Sequence, residues 1–171
     1  MRTTPFLLAA GMLAACLPAL AAEPEIQRDT GTAQAVGAAH TLRSIPEACA
    51  RLEGKFTGQT ATPYQFVAVR SAPQCQPRAR FVDFKQASPS AAGGWKLNDL
   101  IRVPNAACPS QQAVVRVWRK PAAAAAAPTL DAQGRARIYL DDAKQAAEAG
   151  RKMPPLEMYA AQMKVEGSAC P

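Results

Sequence analysis

The sequence lacks most of the motifs by which enzymes are recognised. It contains a single histidine, His40, and no Cys-x-x-Cys pair. A catalytic scheme with two histidines is therefore excluded, and zinc or redox sites are disfavoured, because their ligands are usually closely spaced Cys and His residues. The chain also has no P-loop, no Gly-x-Gly-x-x-Gly and no His-Glu-x-x-His. We expect no metal and no cofactor, and we interpret the protein as non-enzymatic.

Large apolar side chains are also scarce. Alanine supplies 38 of the 171 residues, so the apolar fraction of 49% overstates the material for a core. Between residues 22 and 171, Leu, Ile, Val and Phe account for 24 of 150 positions. That fraction falls below the ~20% at which disorder becomes a concern. We therefore expect covalent cross-links to offset a thin core.

No apolar run is long enough to span a membrane. Arg2 precedes an apolar segment, Phe6–Ala22, which Pro18 interrupts. A transmembrane helix needs ~20 apolar residues. The pattern instead predicts a secretory signal peptide over residues 1–21, cleaved after Ala19-Leu20-Ala21. We expect a periplasmic or secreted protein with no transmembrane helix in its mature form.

An alternative at the same place is lipidation. Leu13-Ala14-Ala15-Cys16 resembles the bacterial lipobox, in which the cysteine becomes the lipidated first residue. Cys16 would then anchor the protein to an envelope membrane. Membrane contact is expected only in that case.

Four cysteines remain after residue 21: Cys49, Cys75, Cys108 and Cys170. An even number in an oxidising compartment predicts two structural disulfides. Cys75 lies in a predicted loop over 71–77 and Cys108 in one over 104–112, at the same end of a meander. This favours a Cys75–Cys108 bond, which leaves Cys49 for Cys170, and the other two pairings stay open.

The composition divides the mature chain into an arm and one domain. Residues 22–40 have no apolar periodicity and predict a disordered arm or tether that ends in a solvated His40. Residues 41–171 form a single small domain. Its start resembles a helix, because Ser44 and Glu47 form a capping box and Gly54 supplies a stop.

The end of the chain also indicates helices. Asp141–Lys152 has acidic residues first and basic residues last, which suits a short surface helix. A second helix is predicted from helical spacing of the apolar residues Leu156, Tyr159, Ala160 and Met163.

Between these helices the period changes to two. Short β-branched and aromatic segments are bounded by Pro, Gly, Ser or Asn and predict strands. They are Tyr64–Arg70, Arg78–Phe84, Trp95–Val103, Ala113–Arg119 and Arg135–Leu140. Their separators suit hairpins, so we predict an α+β fold: a five-stranded, mainly antiparallel, meander-like sheet with an N-terminal helix and one or two C-terminal helices.

The strand region carries the positive charge. Residues 64–137 contain 11 Lys plus Arg and three Asp, whereas the rest of the mature chain is slightly acidic. Alternation places arginines and aromatic residues on one sheet face. Arginine forks and rings together suit an anionic ligand. The candidate ligand-binding residues are Arg78, Arg80, Arg116, Trp118, Arg135, Arg137 and Tyr139.

The sequence therefore predicts an exported binding or envelope-associated module for an anionic envelope component or an acidic protein. Nucleic acid fits the chemistry, but the compartment disfavours it. An alternative is a periplasmic inhibitor or immunity-type protein that blocks a cell-wall enzyme through loop 71–77 or 104–112. A hydrolase that uses Asp83 and Asp99 is formally open, since glycosidases need only two carboxyl groups.

Overall fold

A computed structural model of the protein describes residues 22–122, 148–150 and 156–170. Within these ranges the chain is mostly β and forms one sheet of three strands and one of four. The strands are β1 (His40–Ile45), β2 (Ala50–Phe56), β3 (Tyr64–Arg70), β4 (Ala79–Phe81), β5 (Lys96–Asn105), β6 (Cys108–Lys120) and β7 (Glu157–Gly167). A one-turn helix, α1 (Phe84–Ala87), and two 3-10 turns (Pro46–Ala48 and Ala91–Gly93) lie between them.

The smaller sheet is antiparallel in the order β1-β2-β3. β2 alternates strictly between half-buried and buried residues, which places Ala50, Leu52 and Phe56 on the core side. Gly54 continues that series at the position where the Tyr64 ring crosses β2. A side chain there would occupy the place of the Tyr64 hydroxyl.

The larger sheet has the order β4-β7-β6-β5. β5 and β6 form a hairpin in which Asn105 pairs with Cys108. β6 also pairs antiparallel with β7, and β4 runs parallel to β7 at the edge. β6 is therefore bonded on both sides.

The two sheets share one hydrophobic core. Its fully buried members include Ile45, Leu52 and Phe56 from the smaller sheet and Val115 and Val117 from the larger. Neither sheet has enough large apolar side chains to form a core by itself, so the packing of one against the other is what buries them.

The predicted α+β fold with an N-terminal helix is wrong. The capping-box segment forms β1 and a 3-10 turn whose N-cap, Ile45, makes no side-chain capping bond. The residues after it form β2. Ser44 and Glu47 form a capping motif, which depends only on neighbouring residues. The alternation of Ala50, Leu52 and Phe56 is instead that of a strand with one buried face, and the strand is what forms.

The predicted helix over Leu156, Tyr159, Ala160 and Met163 is also wrong, because these residues belong to or precede β7. Tyr159 and Ala161 face the shared core, and Ala160 is buried on the other face. Because β7 has buried residues on both faces, its apolar residues do not alternate with polar ones. Their spacing therefore resembles that of an amphipathic helix. Pairing with β6 along ten residue pairs overrides the helix-forming composition.

The single five-stranded meander is wrong as well. β3 matches the predicted Tyr64–Arg70, but it lies in a different sheet from β4, β5 and β6. The predicted strand Arg135–Leu140, most of the predicted helix Asp141–Lys152 and the predicted signal peptide with Cys16 lie outside the described residues.

The four cysteines form two disulfides, as predicted, but the favoured pairing was wrong. Cys49 bonds to Cys75 and Cys108 bonds to Cys170. The predicted pairing assumed that loops 71–77 and 104–112 share one end of a meander. In the structure the first loop follows the smaller sheet, whereas Cys108 starts β6 beside the end of β7.

The segment for which the composition predicts a disordered arm lies along the outer edge of β5. Backbone N–H groups of Glu25, Ile26, Gly31 and Gln34 donate to four carbonyl oxygens of β5 at 2.8–2.9 Å. The Glu25 carboxylate accepts hydrogen bonds from Arg119 (2.6 and 3.0 Å) and Asn98 (2.6 Å). The arm therefore covers the edge of the larger sheet.

We predict that removing the longer disulfide costs more stability. Cys108 and Cys170 are 62 residues apart, and Cys49 and Cys75 are 26 apart. Loop-closure entropy then gives about 4.3 kcal/mol for the first bond and about 3.5 kcal/mol for the second. Urea unfolding of the double variants C108S/C170S and C49S/C75S measures both. If C49S/C75S were less stable than C108S/C170S, either the pairing or the loop-entropy explanation would be wrong.

We also predict that acid loosens the arm through Glu25. Hydrogen bonding to Arg119 lowers the pKa of Glu25 from 4.5 to about 2. A carboxylate with a depressed folded pKa stabilises the fold fully above the unfolded value, and its contribution is lost as the pH falls toward the folded value. Glu25→Gln should therefore flatten the pH dependence of stability between about 4.5 and 2.

Thermal unfolding across this pH range checks the effect, with amide exchange at Ile26 as a local measure. The control is Glu23→Gln, which neutralises an exposed carboxylate two residues away. Identical pH profiles for E25Q, E23Q and the unmodified protein would refute the role of Glu25.

Candidate functional site

The outer face of the larger sheet carries five cations. In β6, Ala113, Val115 and Val117 point into the shared core. Alternation therefore places Arg116 and Lys120 on the opposite face. The same reasoning from the partner strands adds three more cations. We call this surface the basic face, and its cations are Arg80, Arg102, Arg116, Lys120 and Lys164.

The strand register arranges these cations in rows. Arg80 and Lys120 are both in register with Met158, one on each side of it. Arg102 and Lys164 flank Val114 in the same way. Neighbouring strands lie ~4.8 Å apart, so the cations of each row are separated by roughly 10 Å at the backbone.

A strip of apolar residues lies between the cations and is mostly buried from solvent. Val114 and Ala160 are fully buried, and Leu97 is 7% exposed. Trp118, in register with Leu97 and Ala160, is half-buried and its indole nitrogen is inaccessible. The described part of this face is therefore a set of cations around a buried strip, with part of one aromatic ring exposed, that of Trp118.

Within the part of the chain that the structure describes, only one cation of the basic face has a salt bridge. Arg80 and Lys164 are exposed, and Arg102, Arg116 and Lys120 are half-buried. Arg116 donates to Glu166 on the same face at 3.1 Å. Among the described residues, no acidic side chain forms a salt bridge with any of the other four cations.

The other predicted ligand-binding residues are not all brought to this face. Arg78 precedes β4, and its backbone N–H donates to the Glu47 carbonyl at 2.6 Å. Arg135, Arg137 and Tyr139 lie outside the described residues. The structure therefore places Arg80, Arg116 and Trp118 together and leaves Arg78 beside them at the sheet edge.

Three members of the basic face, Arg102, Lys120 and Lys164, were not among the predicted site residues. Arg102 lies between the core residues Ile101 and Val103, so its alternation was readable from the sequence. Lys164 was not recognised as a residue of this face, because the sequence predicted a helix for its segment. Correct strand pairing, a long-range property, is what brings Lys164 next to Val114.

Asp99 belongs to a buried cluster of charges on the opposite side of the sheet. Its side chain is 0% exposed, and both carboxylate oxygens accept from Arg28 Nε at 2.9 and 3.0 Å. Arg43 Nη1 lies 3.2 Å from the same carboxylate. We call these three residues the Asp99 cluster. Burial of Arg43 lowers the pKa of its guanidinium, and the Asp99 charge partly opposes that shift.

Asp83 has a different role from Asp99. Its carboxylate caps α1 by accepting from the Gln86 N–H at 3.0 Å and is exposed. The structure therefore gives the two acids of the hydrolase alternative separate surroundings, one capping a surface helix and one buried between two arginines. Nothing in this arrangement brings them to a common cleft.

His40 is part of β1 and binds Tyr64. The Tyr64 hydroxyl lies 2.9 Å from Nε2, and Nδ1 faces the Ala38 carbonyl at 3.3 Å. With Nδ1 protonated, Nε2 accepts the hydrogen bond from Tyr64. Burial raises the pKa of the Tyr64 hydroxyl above its usual value. His40 is thus a structural partner of Tyr64, whereas the sequence predicted a solvated histidine.

A shallow open cavity of about 240 Å³ lies beside the Cys49–Cys75 disulfide. It is lined by Ala48, Cys49, Ala50, Ala68, Val69, Arg70, Pro77 and Phe81. Arg70 donates to the carbonyls of Ala72 (3.0 Å) and Cys75 (2.6 Å), which holds loop 71–77 at the rim.

Comparison with protein-family models, with curated proteins and with solved structures finds no match to this chain. Among the described residues, no three His, Cys, Asp or Glu side chains are grouped as a metal site would require. No helix in the part of the chain that the structure describes has the length and apolarity to cross a membrane.

We predict that Asp99 has a structural role. Asp99→Asn should lower the free energy of unfolding by about 3–5 kcal/mol, because it leaves the buried charge of Arg43 without its partner. Asp83→Asn is the matched control and should change stability by less than about 0.5 kcal/mol, since Asn is also a good helix cap. Urea unfolding measures both, and equal stability of D99N and the unmodified protein would contradict the prediction.

Proposed function

We propose that the protein is an exported, non-enzymatic binding module whose basic face contacts an anionic component of the bacterial envelope or an acidic protein. The observation that carries the proposal is that the described residues group five cations with one acid on a single sheet face. Four of those cations have no salt bridge to a described residue. Such a field favours anionic partners and speeds their association.

Export is supported by the two disulfides, which form and persist in oxidising compartments. In the periplasm or outside the cell, the anionic surfaces available include lipopolysaccharide phosphates and acidic glycans. The covered strip around Trp118 favours recognition of charge over stacking on rings, so phosphates and carboxylates suit this face better than bases or sugars.

A second candidate is an inhibitor or immunity-type protein that acts through loop 71–77. The Cys49–Cys75 bond and the two hydrogen bonds from Arg70 hold this loop at both ends. A loop held in this way loses little entropy on binding. The other loop considered, 104–112, is mostly strand and forms the tight β5–β6 turn, so it supports this candidate less.

We predict that the double variant Arg80→Glu/Lys164→Glu loses affinity for anionic surfaces. The probes are purified lipopolysaccharide and poly-glutamate, which distinguish an envelope component from an acidic protein, with duplex DNA as a test for any polyanion. Each basic residue near an anionic surface contributes ~1 kcal/mol, so we expect binding to weaken by roughly tenfold or more at low salt. The affinity of the unmodified protein should also fall as salt rises.

The control is Lys55→Glu/Lys85→Glu, which changes the net charge equally at positions outside the larger sheet. Equal loss in both double variants would mean that only net charge matters, which would refute a localised face. If one protein partner still binds R80E/K164E stoichiometrically, contact through loop 71–77 is favoured.

A further inference from the structure

The outer edge of β3 carries backbone groups that no described strand uses. β3 ends the order β1-β2-β3. The Pro63 carbonyl accepts from Thr57 N–H at 3.1 Å, and Ser71 N–H donates to the Cys49 carbonyl at 2.9 Å. In an antiparallel pair, alternate residues bond to the partner strand. The odd-numbered residues of β3 therefore bond to β2, and the even-numbered ones direct N–H and C=O groups outward.

Among the described residues, the centre of this edge has none of the usual protection against pairing. Natural edge strands are blocked by lysine, proline, bulges or inward charges. β3 contains no lysine or proline, pairs with β2 along seven residues without a bulge, and has one charge, Arg70, at its end. At its centre Val67 is 50% exposed, more than any other large hydrophobic residue among the described ones.

The seven residues of β3 complement a second copy of themselves. In an antiparallel pairing centred on Val67, Phe66 lies opposite Ala68 of the other copy and Tyr64 lies opposite Arg70. All the outward-directed residues then pair with one another, which gives roughly eight backbone hydrogen bonds. Pairings centred one residue away keep this hydrogen-bond pattern, but they overlap along fewer residues.

Side chains and charge also fit this register. The two Val67 side chains meet at the symmetry axis and cover each other. The two Arg70 residues lie at opposite ends, about 20 Å apart at the backbone, beyond the ~8 Å screening length at physiological salt. Phe66 of the second copy faces Ala68, at the mouth of the 240 Å³ cavity. A bulky ring thus lies opposite a small residue.

We propose that β3 pairs antiparallel with β3 of a second copy about a two-fold axis at Val67, which joins two three-stranded sheets into one continuous sheet. This surface is separate from the basic face and does not depend on the proposed function. The interface is small, so we expect a dissociation constant of about 10–1000 μM. Because each chain carries a net charge of +7, added salt should strengthen the dimer, whereas salt weakens binding of anions.

Sedimentation equilibrium of the full oxidised protein over a range of concentrations tests the proposal. Val67→Arg places two like charges against each other at the axis and should raise the dissociation constant at least about tenfold. The matched control is Val36→Arg, which makes the same change at the other exposed valine. Val36 bridges to Phe56 outside β3 and should leave dimerisation unchanged.

A second variant addresses the backbone directly. Ala68→Pro removes an outward N–H without removing a bond to β2, so it should weaken the dimer while thermal unfolding of the monomer changes little. Amide exchange gives an independent signature. The amides of Phe66 and Ala68 should be protected only at concentrations where the dimer forms, whereas those of Gln65, Val67 and Val69 should be protected at all concentrations.

Three results would overturn the proposal. The first is a monomer up to about 1 mM protein at high salt. The second is a dimer that V67R weakens no more than V36R does. The third is a dimer in which the exchange of Phe66 and Ala68 amides does not depend on concentration. The first result, together with protection of the same amides by a different protein, would assign the edge to another partner's strand.

Discussion

The carboxylate of Asp99 connects the three parts of the described molecule. It belongs to β5 of the larger sheet, contacts Arg43 of β1 in the smaller sheet and accepts hydrogen bonds from Arg28 in the arm. A fully buried carboxylate is tolerated only with such partners, because an unpaired charge in the interior is expensive. The arm, the two sheets and β1 must therefore be placed so that the Asp99 carboxylate keeps both arginine partners. The core has few large side chains, so packing alone would hold these parts together only weakly.

The small number of large apolar side chains in the core explains three further features of the fold: the shared core, the disulfides and the docked arm. The two sheets must share one set of apolar residues, and the interior strand β6 is buried on both faces, with Val114 on one side and Val115 and Val117 on the other. The disulfides tie down loop 71–77 and the end of β7. The arm uses backbone bonds and the Glu25 contacts to close the edge of β5. Such cross-links and polar contacts supply stability that a core with few large apolar side chains does not provide.

The two described sheets have four edge strands, and two of these, β5 and β3, differ in how they are covered. The arm covers the edge formed by β5, whereas β3 remains open among the described residues and is apolar at its centre. The cations, by contrast, lie on the outer face of the larger sheet. The proposed binding face and the proposed pairing edge therefore belong to different sheets.

Some of this follows from the sequence alone. The two disulfides, the strand Tyr64–Arg70 and the shared face of Arg116 and Trp118 were readable from spacing and alternation, because each depends on neighbouring residues or on counting. The disulfide pairing, the strand identity of β1, β2 and β7, and the membership of Lys164 in the basic face depended on contacts between distant residues. Ser44 with Glu47, and Tyr159 with Met163, carry local signals for helix. Pairing with β2 and β6 and burial against the opposite sheet outweigh those signals, because a local capping motif stabilises by about 1 kcal/mol and a strand buried within a sheet by several times that.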